Sequence, residues 1–313
     1  MITDNNSIIK IRTGTDGTVS VAVECKACIN GVKFTVFEPC GVQTSVDLCV
    51  DGNHAKQSFH VCKLELWSVD LPVLYGFSAK ISTENGEETA EGKFGFRTLS
   101  TNGKNVCLNG VPIFIRGYIR GATAHEHSNN AGLSETEFYR KNISEAKKFG
   151  FNLVRFHSVV PNETFLNVAD ELGMLVHIEL RPPHDIYNNL EEMVTTGNAV
   201  VPGDFLEEVI NTGYNHPSLA VYCIGNEIKN APVGTIHAIK EKIDALDGMR
   251  LFLDTCAWGE NGRPDIDIDV QHLSYYFPFG KHAKMYDDTD NLLVVGSSVD
   301  KPMKTDGLNS SLT

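Results

Sequence analysis

The chain has 313 residues, of which 42% are hydrophobic and 21% charged, the composition of a globular protein that can bury a sizeable core. Its formal net charge of −13 argues against binding to the phosphate backbone of a nucleic acid. No apolar run approaches the roughly 20 residues of a membrane-spanning helix, and residues 1–10 lack the apolar core of a signal peptide. We therefore expect neither nucleic acid nor membrane as a partner, and leave open whether the protein is cytoplasmic or periplasmic.

The first hundred residues have the alternating pattern of half-buried β-strands. Apolar side chains recur at every second position in Val19–Cys25, Val32–Phe37 and Lys63–Trp67. Two further short runs, 45–50 and 75–81, are set apart by clusters of Gly, Asn and Asp. About seven short strands in a stretch of this length predict a β-sandwich of immunoglobulin-like architecture.

From about Val106 the pattern changes to apolar strands that alternate with amphipathic helices. The predicted first strand is Pro112–Gly117, and Ser134 with Glu137 forms a capping box that opens a helix to about Phe149. Strands and helices that alternate at this spacing predict a parallel sheet. The later predicted strands are 152–157, 174–179, 219–224, 250–254 and a sixth near 269–275, and the later predicted helices are 163–171, one from about 204, and 234–246.

Six such units, each with polar residues at the end of its strand, predict a (β/α)8 TIM barrel rather than a doubly wound sheet. No glycine-rich phosphate loop follows the first strand, which disfavours a dinucleotide-binding fold. A barrel needs eight strands, whereas only one apolar run, Leu292–Gly296, follows Tyr276. The expected fold class is therefore a multi-domain β plus α/β protein, with an immunoglobulin-like β-sandwich in residues 1–98 and an incomplete (β/α)8 TIM barrel in residues 99–313.

Polar side chains at the strand ends predict the position of an active site, because TIM barrels place theirs at the carboxyl ends of the strands. The strand ends carry acids, histidines, an amide and aromatic residues, a set that suits a sugar, because aromatic rings cover its apolar face while acids and amides bind its hydroxyl groups. Cleavage of a glycosidic bond requires two carboxyl groups, one of which protonates the leaving oxygen. Glu227 suits this acid role because an apolar strand delivers it to a partly desolvated position, which favours the neutral form. The candidate site residues at the strand ends are Arg116, His157, Glu179, Asn226, Glu227, Trp258, His272 and Tyr276.

Several of these residues lie in segments that resemble one known family. Asn215-His-Pro-Ser, followed by an apolar strand and Gly225-Asn-Glu227, resembles the acid/base strand of glycoside hydrolase family 2, which contains the β-galactosidases, β-glucuronidases and β-mannosidases. Three further segments resemble that family in order and spacing. They are Phe94-Gly-Phe-Arg97, Leu108-Asn-Gly110 with Ile115-Arg-Gly117, and Phe151–His157 with Ala169–Val176.

The resemblance implies a retaining exo-β-glycosidase. By resemblance Glu227 is the general acid/base, Asn226 contacts the sugar 2-hydroxyl, and Arg116, His157 and Glu179 line the same pocket. The family also uses a glutamate nucleophile on a later strand, and no residue of this sequence matches it. The family's N-terminal sugar-binding sandwich has no counterpart either, so the chain resembles the middle of a longer enzyme, and we expect the 313 residues alone to be nearly inactive.

Two alternatives stay open: another (β/α)8 retaining glycanase, and a catalytically inactive carbohydrate-binding fragment. The expected partner is a carbohydrate, a β-glycoside, whose sugar the sequence leaves undecided, as it does homo-oligomer formation by the full-length enzyme. The proposed chemistry requires no cofactor. We also expect no metal site, because neither Cys25-Lys-Ala-Cys28 nor His125-Glu-His127 supplies a full ligand set.

Overall fold

The fold is described from a computed structural model. None of the helices in its described part combines the length and the apolar character that crossing a bilayer requires. Contacts between residues divide the chain into two units, Met1–Thr98 with Ile210–Pro217, and Leu99–Val209 with Ser218–Thr313. The structure describes residues 1–103, 105–120, 132–157, 159–180, 203–226, 233–256, 266–271 and 293–295.

The first unit is a β-sandwich of two antiparallel four-stranded sheets, ordered β1-β2-β6-β5 and β4-β3-β7-β8. Alternate residues of β2 are buried, as the period-two pattern predicts. The buried aromatic rings of Phe34 and Phe77 stack with their centroids 5.3 Å apart. The strands are β1 Ile8–Thr13, β2 Thr18–Glu24, β3 Ile29–Phe37, β4 Gln43–Asp47, β5 Cys49–Asp51, β6 His54–His60, β7 Tyr75–Thr83 and β8 Gly86–Phe94.

The predicted strand Lys63–Trp67 is wrong. This segment contains only an isolated bridge between Leu66 and Phe96. The hydroxyl of Tyr75 accepts a hydrogen bond from the Glu65 backbone N–H at 2.8 Å and donates to the Lys63 carbonyl at 2.7 Å. A side chain thus pairs with backbone groups that a neighbouring strand would otherwise satisfy, and the alternating pattern of the sequence cannot distinguish the two cases.

Residues 210–217 belong to the first unit although they lie more than a hundred residues further along the chain. The buried Asn215 side chain donates from Nδ2 to the Ile9 carbonyl at 3.0 Å and accepts at Oδ1 from the Ile11 N–H at 2.8 Å. These two backbone groups lie on the edge of β1 that faces away from β2. The amide therefore extends the pairing along this sheet edge, where the carbonyl and amino group of Met1 also bond to Ile9.

Pro217 contacts the segment that follows β8. The Arg97 Nε donates to the Pro217 carbonyl at 3.0 Å. A Cβ atom added to Gly95 would lie 2.9 Å from Pro217 Cγ and 3.0 Å from Cβ of the buried Trp67, so only glycine fits between them. Two of the segments named above for their family resemblance, Phe94–Arg97 and Asn215–Pro217, are therefore packed against each other.

The second unit contains a parallel sheet of five strands in the order β12-β13-β14-β15-β16, in which chain neighbours are sheet neighbours. A three-stranded antiparallel sheet ordered β11-β10-β9 precedes it, and β17 pairs with β18 in parallel. The strands are β9 Leu99–Asn102, β10 Asn105–Leu108, β11 Val111–Ile113, β12 Gly117–Arg120, β13 Leu153–Phe156, β14 Leu175–Glu179, β15 Leu219–Asn226, β16 Leu251–Cys256, β17 Asp269–Gln271 and β18 Leu293–Val295.

Helices connect the strands of the parallel sheet. Ser134 and Glu137 form the predicted capping box of α1, and Asn162 caps α2 by accepting from the Phe165 N–H at 3.0 Å. Gly173 ends α2 in the left-handed conformation, at φ 72°, which glycine adopts without steric cost. The helices are α1 Glu135–Lys148, α2 Glu163–Leu172, α3 Gly203–Gly213 and α4 Val233–Leu246.

The predicted first barrel strand, Pro112–Gly117, is wrong in position. Pro112 lies in β11, which pairs antiparallel with β10, and the first parallel strand, β12, begins at Gly117. An apolar run cannot reveal from its pattern alone whether its partner is the preceding hairpin strand or a distant parallel one. As a result Arg116 stands at the amino end of β12 rather than at its carboxyl end.

Candidate active site

The parallel sheet brings buried polar side chains together near its carboxyl edge. Arg155 in β13 is paired with His177 in β14, and Glu179, two residues further, is paired with Cys223 in β15. Side chains of paired residues and of residues two apart share one face of a sheet. All four residues are at most 3% exposed, so this face holds a charged and polar cluster inside the unit.

Glu179 and Arg155 form a buried ion pair. The Glu179 Oε1 accepts from Arg155 Nε at 2.9 Å and also from Arg155 Nη2. The two side chains are 0% and 4% exposed. Removal of either partner from such a pair would leave the other charge in a poorly solvated place, so each fixes the position of the other.

The same guanidinium reaches the end of β15. Arg155 Nη2 donates to Oδ1 of Asn226 at 2.6 Å, a short charge-assisted hydrogen bond. Asn226 is half-buried and is the last described residue before Glu227. The planar guanidinium therefore links a buried carboxylate on β14 to the amide at the end of β15, and orients that amide.

His177 and Cys223 complete the cluster. Burial, with a further contribution from the positive charge of Arg155, lowers the pKa of His177 well below its usual value, so the imidazole is neutral. The Cys223 Sγ donates to the Gly225 carbonyl at 3.2 Å. One ligand atom each of His177, Glu179 and Cys223 lie within 4.8 Å of one another, which makes this trio the group in the described residues that could hold a metal ion.

The other candidate residues are distributed differently. His157 follows β13 at its carboxyl end, is half-buried, and donates from its N–H to the Arg120 carbonyl at 2.7 Å. Arg116 is exposed, and its Nε donates to the carbonyl of Gly150, at the opposite end of the sheet. Glu227, Trp258, His272 and Tyr276 lie outside the described residues.

Arg155, His177 and Cys223 are not among the site residues predicted from the sequence. All three occupy strands that are buried on both faces, where apolar residues surround the polar ones and no alternation marks the inward side. The available signal is the charge itself, because a charged residue within an otherwise apolar strand requires a partner.

Two family models match the chain. One is described as "Glycosyl hydrolases family 2, TIM barrel domain" and matches residues 99–255, half of the chain, and the other, "Glycosyl hydrolases family 2", matches residues 3–97. The architecture is that of a β-sandwich domain followed by a TIM-barrel domain. The chain belongs to glycosyl hydrolases family 2.

Individual relatives are more distant. A beta-galactosidase from Aeromonas hydrophila is 28% identical over 210 residues, which are 63% of this chain and 19% of that protein. The crystal structure of an FMN-binding beta-glucuronidase from Facaelibacterium prausnitzii has a TM-score of 0.68 at 20% identity, covering 94% of this chain and 47% of that one. A beta-galacturonidase from Eisenbergiella tayi has a TM-score of 0.62 at 22% identity, covering 94% and 56%. The chain spans only 21% and 19% of the first two curated relatives, and the structures establish a shared fold.

Proposed function

We propose that the protein hydrolyses β-glycosides with retention of configuration, as an exo-glycosidase, and that Glu227 is its general acid/base. We further propose that residues 1–98 and 99–313 form its sandwich and catalytic domains. The observation that best supports the catalytic proposal is the hydrogen bond from Arg155 to Asn226, backed by the buried Glu179. It fixes the end of β15, the point at which the chain enters Glu227.

The proposed reaction has two steps. Glu227 first protonates the oxygen of the leaving alcohol while a second carboxylate attacks the anomeric carbon, and then removes a proton from the water that releases the sugar. Asn226 contacts the sugar hydroxyl next to the reacting carbon. His157, Trp258, His272 and Tyr276 line the sugar pocket, and Glu179 acts through Arg155. We omit Arg116, because its side chain is directed to the amino end of the sheet.

The proposed substrate class is a sugar joined by a β-linkage to an alcohol, and the identity of that leaving alcohol can vary. Relatives named beta-galactosidase and beta-glucuronidase support this class, while the choice between a neutral sugar and a uronate stays open. We assign the second carboxyl group to no residue of this chain.

Alkylation tests the role of Glu227 independently of turnover. A bromoacetyl β-glycosylamine places an electrophile where the glycosidic oxygen would lie, so we expect it to esterify Glu227, detected by peptide mass spectrometry. A matching free sugar should slow this labelling, and Glu227→Gln should abolish it. Glu241→Gln, on the exposed face of α4, is the control and should be labelled at Glu227 as in the original chain. Saturable sugar binding without labelling of Glu227 would favour the carbohydrate-binding alternative.

The length of the ligand tests the alternative of an endo-acting glycanase. An exo-enzyme accommodates one sugar before the bond that it cleaves, so a galactose- or glucuronate-based reagent should label the protein best. Labelling only by reagents built on oligosaccharides would favour the glycanase.

A further inference from the structure

We propose that His177, Glu179 and Cys223 form a binding site for a thiophilic divalent metal ion, Zn²⁺ or Co²⁺, inside the parallel sheet. The three residues lie on β14 and β15 and supply one nitrogen, one oxygen and one sulfur ligand atom. Imidazole, carboxylate and thiolate are the ligands that zinc takes in proteins, whereas calcium and magnesium prefer oxygen alone. The donor set therefore selects a transition metal.

The second observation that supports the site is the state of His177. Its side chain is fully buried, and neither Nδ1 nor Nε2 has a hydrogen-bond partner in the described part of the chain. A buried polar atom without a partner destabilises the fold, so such groups are uncommon unless something binds there. A metal ion on one ring nitrogen would satisfy that atom.

The geometry requires only small movements. Three atoms that lie within 4.8 Å of one another are each at most about 2.8 Å from their common centre, while zinc–ligand bonds measure about 2.0–2.3 Å. Side-chain rotations that bring each atom inward by roughly 0.5–0.8 Å would form the site. On binding, the Cys223 thiol gives up its hydrogen bond to Gly225 and releases its proton to solvent, the thiolate forms the metal–sulfur bond, and water supplies a fourth ligand.

Arg155 sets the strength of the site and couples it to the end of β15. Its positive charge lies against Glu179, so we expect weaker binding than at a structural zinc site with four protein ligands. A metal on Glu179 would compete with Arg155 for the carboxylate, and Arg155 also holds Asn226. Metal binding should therefore slow the labelling of Glu227, an effect that rests on the proposed function.

Cobalt tests the site by spectroscopy. Surface thiols are removed first by replacing the four exposed cysteines, Cys28, Cys40, Cys49 and Cys62, with serine. Titration of this protein with Co²⁺ should give a saturable thiolate-to-cobalt charge-transfer band with a stoichiometry of one, which Zn²⁺ displaces. Cys223→Ser should remove the band, and His177→Gln should weaken binding at least tenfold.

Two results would overturn the site: no charge-transfer band in the parent protein, or a band and affinity unchanged in Cys223→Ser and His177→Gln. Circular dichroism shows whether each variant is folded, and if one is not, the other decides the question. If the cobalt spectrum appears but Glu227 is not labelled even without metal, the proposed function fails while the metal site stands.

Discussion

At the scale of single residues, the main feature is the charge placed inside the parallel sheet. Arg155 contacts both a buried carboxylate and a half-buried amide, so one guanidinium organises side chains from three strands. Glu179 was expected from the sequence to line the sugar pocket. The ion pair gives Glu179 a structural partner, and the bond from Arg155 to Asn226 would let it influence the proposed site without contacting sugar.

Breaking the buried pair should destabilise the protein far more than breaking an exposed one. Glu179→Gln leaves the Arg155 charge buried without this carboxylate, and we expect a loss of about 3–5 kcal/mol in the free energy of unfolding. The control is Glu171→Gln, which breaks the ion pair of Glu171 with Arg140. The Glu171 side chain is 29% exposed and that of Arg140 45%, so this change should cost less than about 1 kcal/mol. Urea unfolding followed by circular dichroism measures both, and equal losses would contradict the argument.

The burial of His177 should make the stability of the protein depend on pH in the acidic range. Its folded-state pKa is lowered, so below its unfolded value of about 6.5 the unfolded chain binds a proton that the folded chain does not. Stability should therefore decrease as the pH falls from about 6.5, with this residue adding up to about 1.4 kcal/mol per pH unit. Unfolding of metal-free protein between pH 7 and 5 measures the slope.

His177→Gln should reduce that slope, because the substituted side chain does not titrate. His54→Gln, on an exposed strand position, is the matched control for the loss of a histidine. If the slope is identical in all three proteins, His177 binds a proton equally well in the folded and the unfolded chain, and the prediction is wrong.

At the scale of elements, the chain uses a side chain to complete a sheet. The Asn215 amide pairs with Ile9 and Ile11 on the outer edge of β1, where an uncovered strand would be prone to pair with other molecules. From the sequence, Asn215 was assigned only to the motif that precedes the predicted acid/base strand. The structure gives it a role in the sandwich.

Replacement of this amide should destabilise the first unit. Asn215→Ala leaves the Ile11 N–H buried without this partner, at a cost of about 1–3 kcal/mol, whereas the Ile9 carbonyl keeps its bond from the Met1 amino group at 3.3 Å. Asn53→Ala removes a single, less buried bond to the Cys25 carbonyl and should cost about 1 kcal/mol. Hydrogen exchange at Ile11 reports the effect directly: we expect faster exchange in Asn215→Ala, and unchanged protection there would refute the role of the amide.

At the scale of the whole molecule, local patterns predicted the order of the elements better than their partners. The sandwich strands, the capped helices and the parallel sheet followed from periodicity and end signals, because these depend on neighbours in sequence. The predicted strand pairing was wrong for Lys63–Trp67 and Pro112–Gly117, where the apolar pattern is compatible with more than one partner. The contact of Asn215 with Ile9 spans more than 200 residues, and no local signal could have predicted it.

The candidate site was predictable in the same partial way. Glu179, Asn226 and Glu227 were predicted from the strand ends, because a polar residue at the end of an apolar run is visible in the sequence. His177 and Cys223 stayed unnoticed because β14 and β15 are buried on both faces, so alternation does not reveal which residues share a face.

The 313 residues by themselves should have little glycosidase activity. Double displacement needs two carboxyl groups, and only Glu227 has been assigned to this chain. We expect hydrolysis of aryl β-galactosides and β-glucuronides at the rate of the buffer alone. Turnover that Glu227→Gln abolishes and Glu241→Gln leaves intact would contradict this, and would place the second carboxylate within these residues.

The membership of residues 210–217 in the first unit also sets the timing of its assembly during translation. When Thr98 leaves the ribosome, the segment that covers β1 has yet to be made, and about 120 more residues must follow. At about 5–20 residues per second this takes roughly 6–24 s. Throughout that interval the nascent sandwich lacks the Asn215 amide on the edge of β1, so a segment synthesised well after the sandwich determines when this edge is protected from association with other chains.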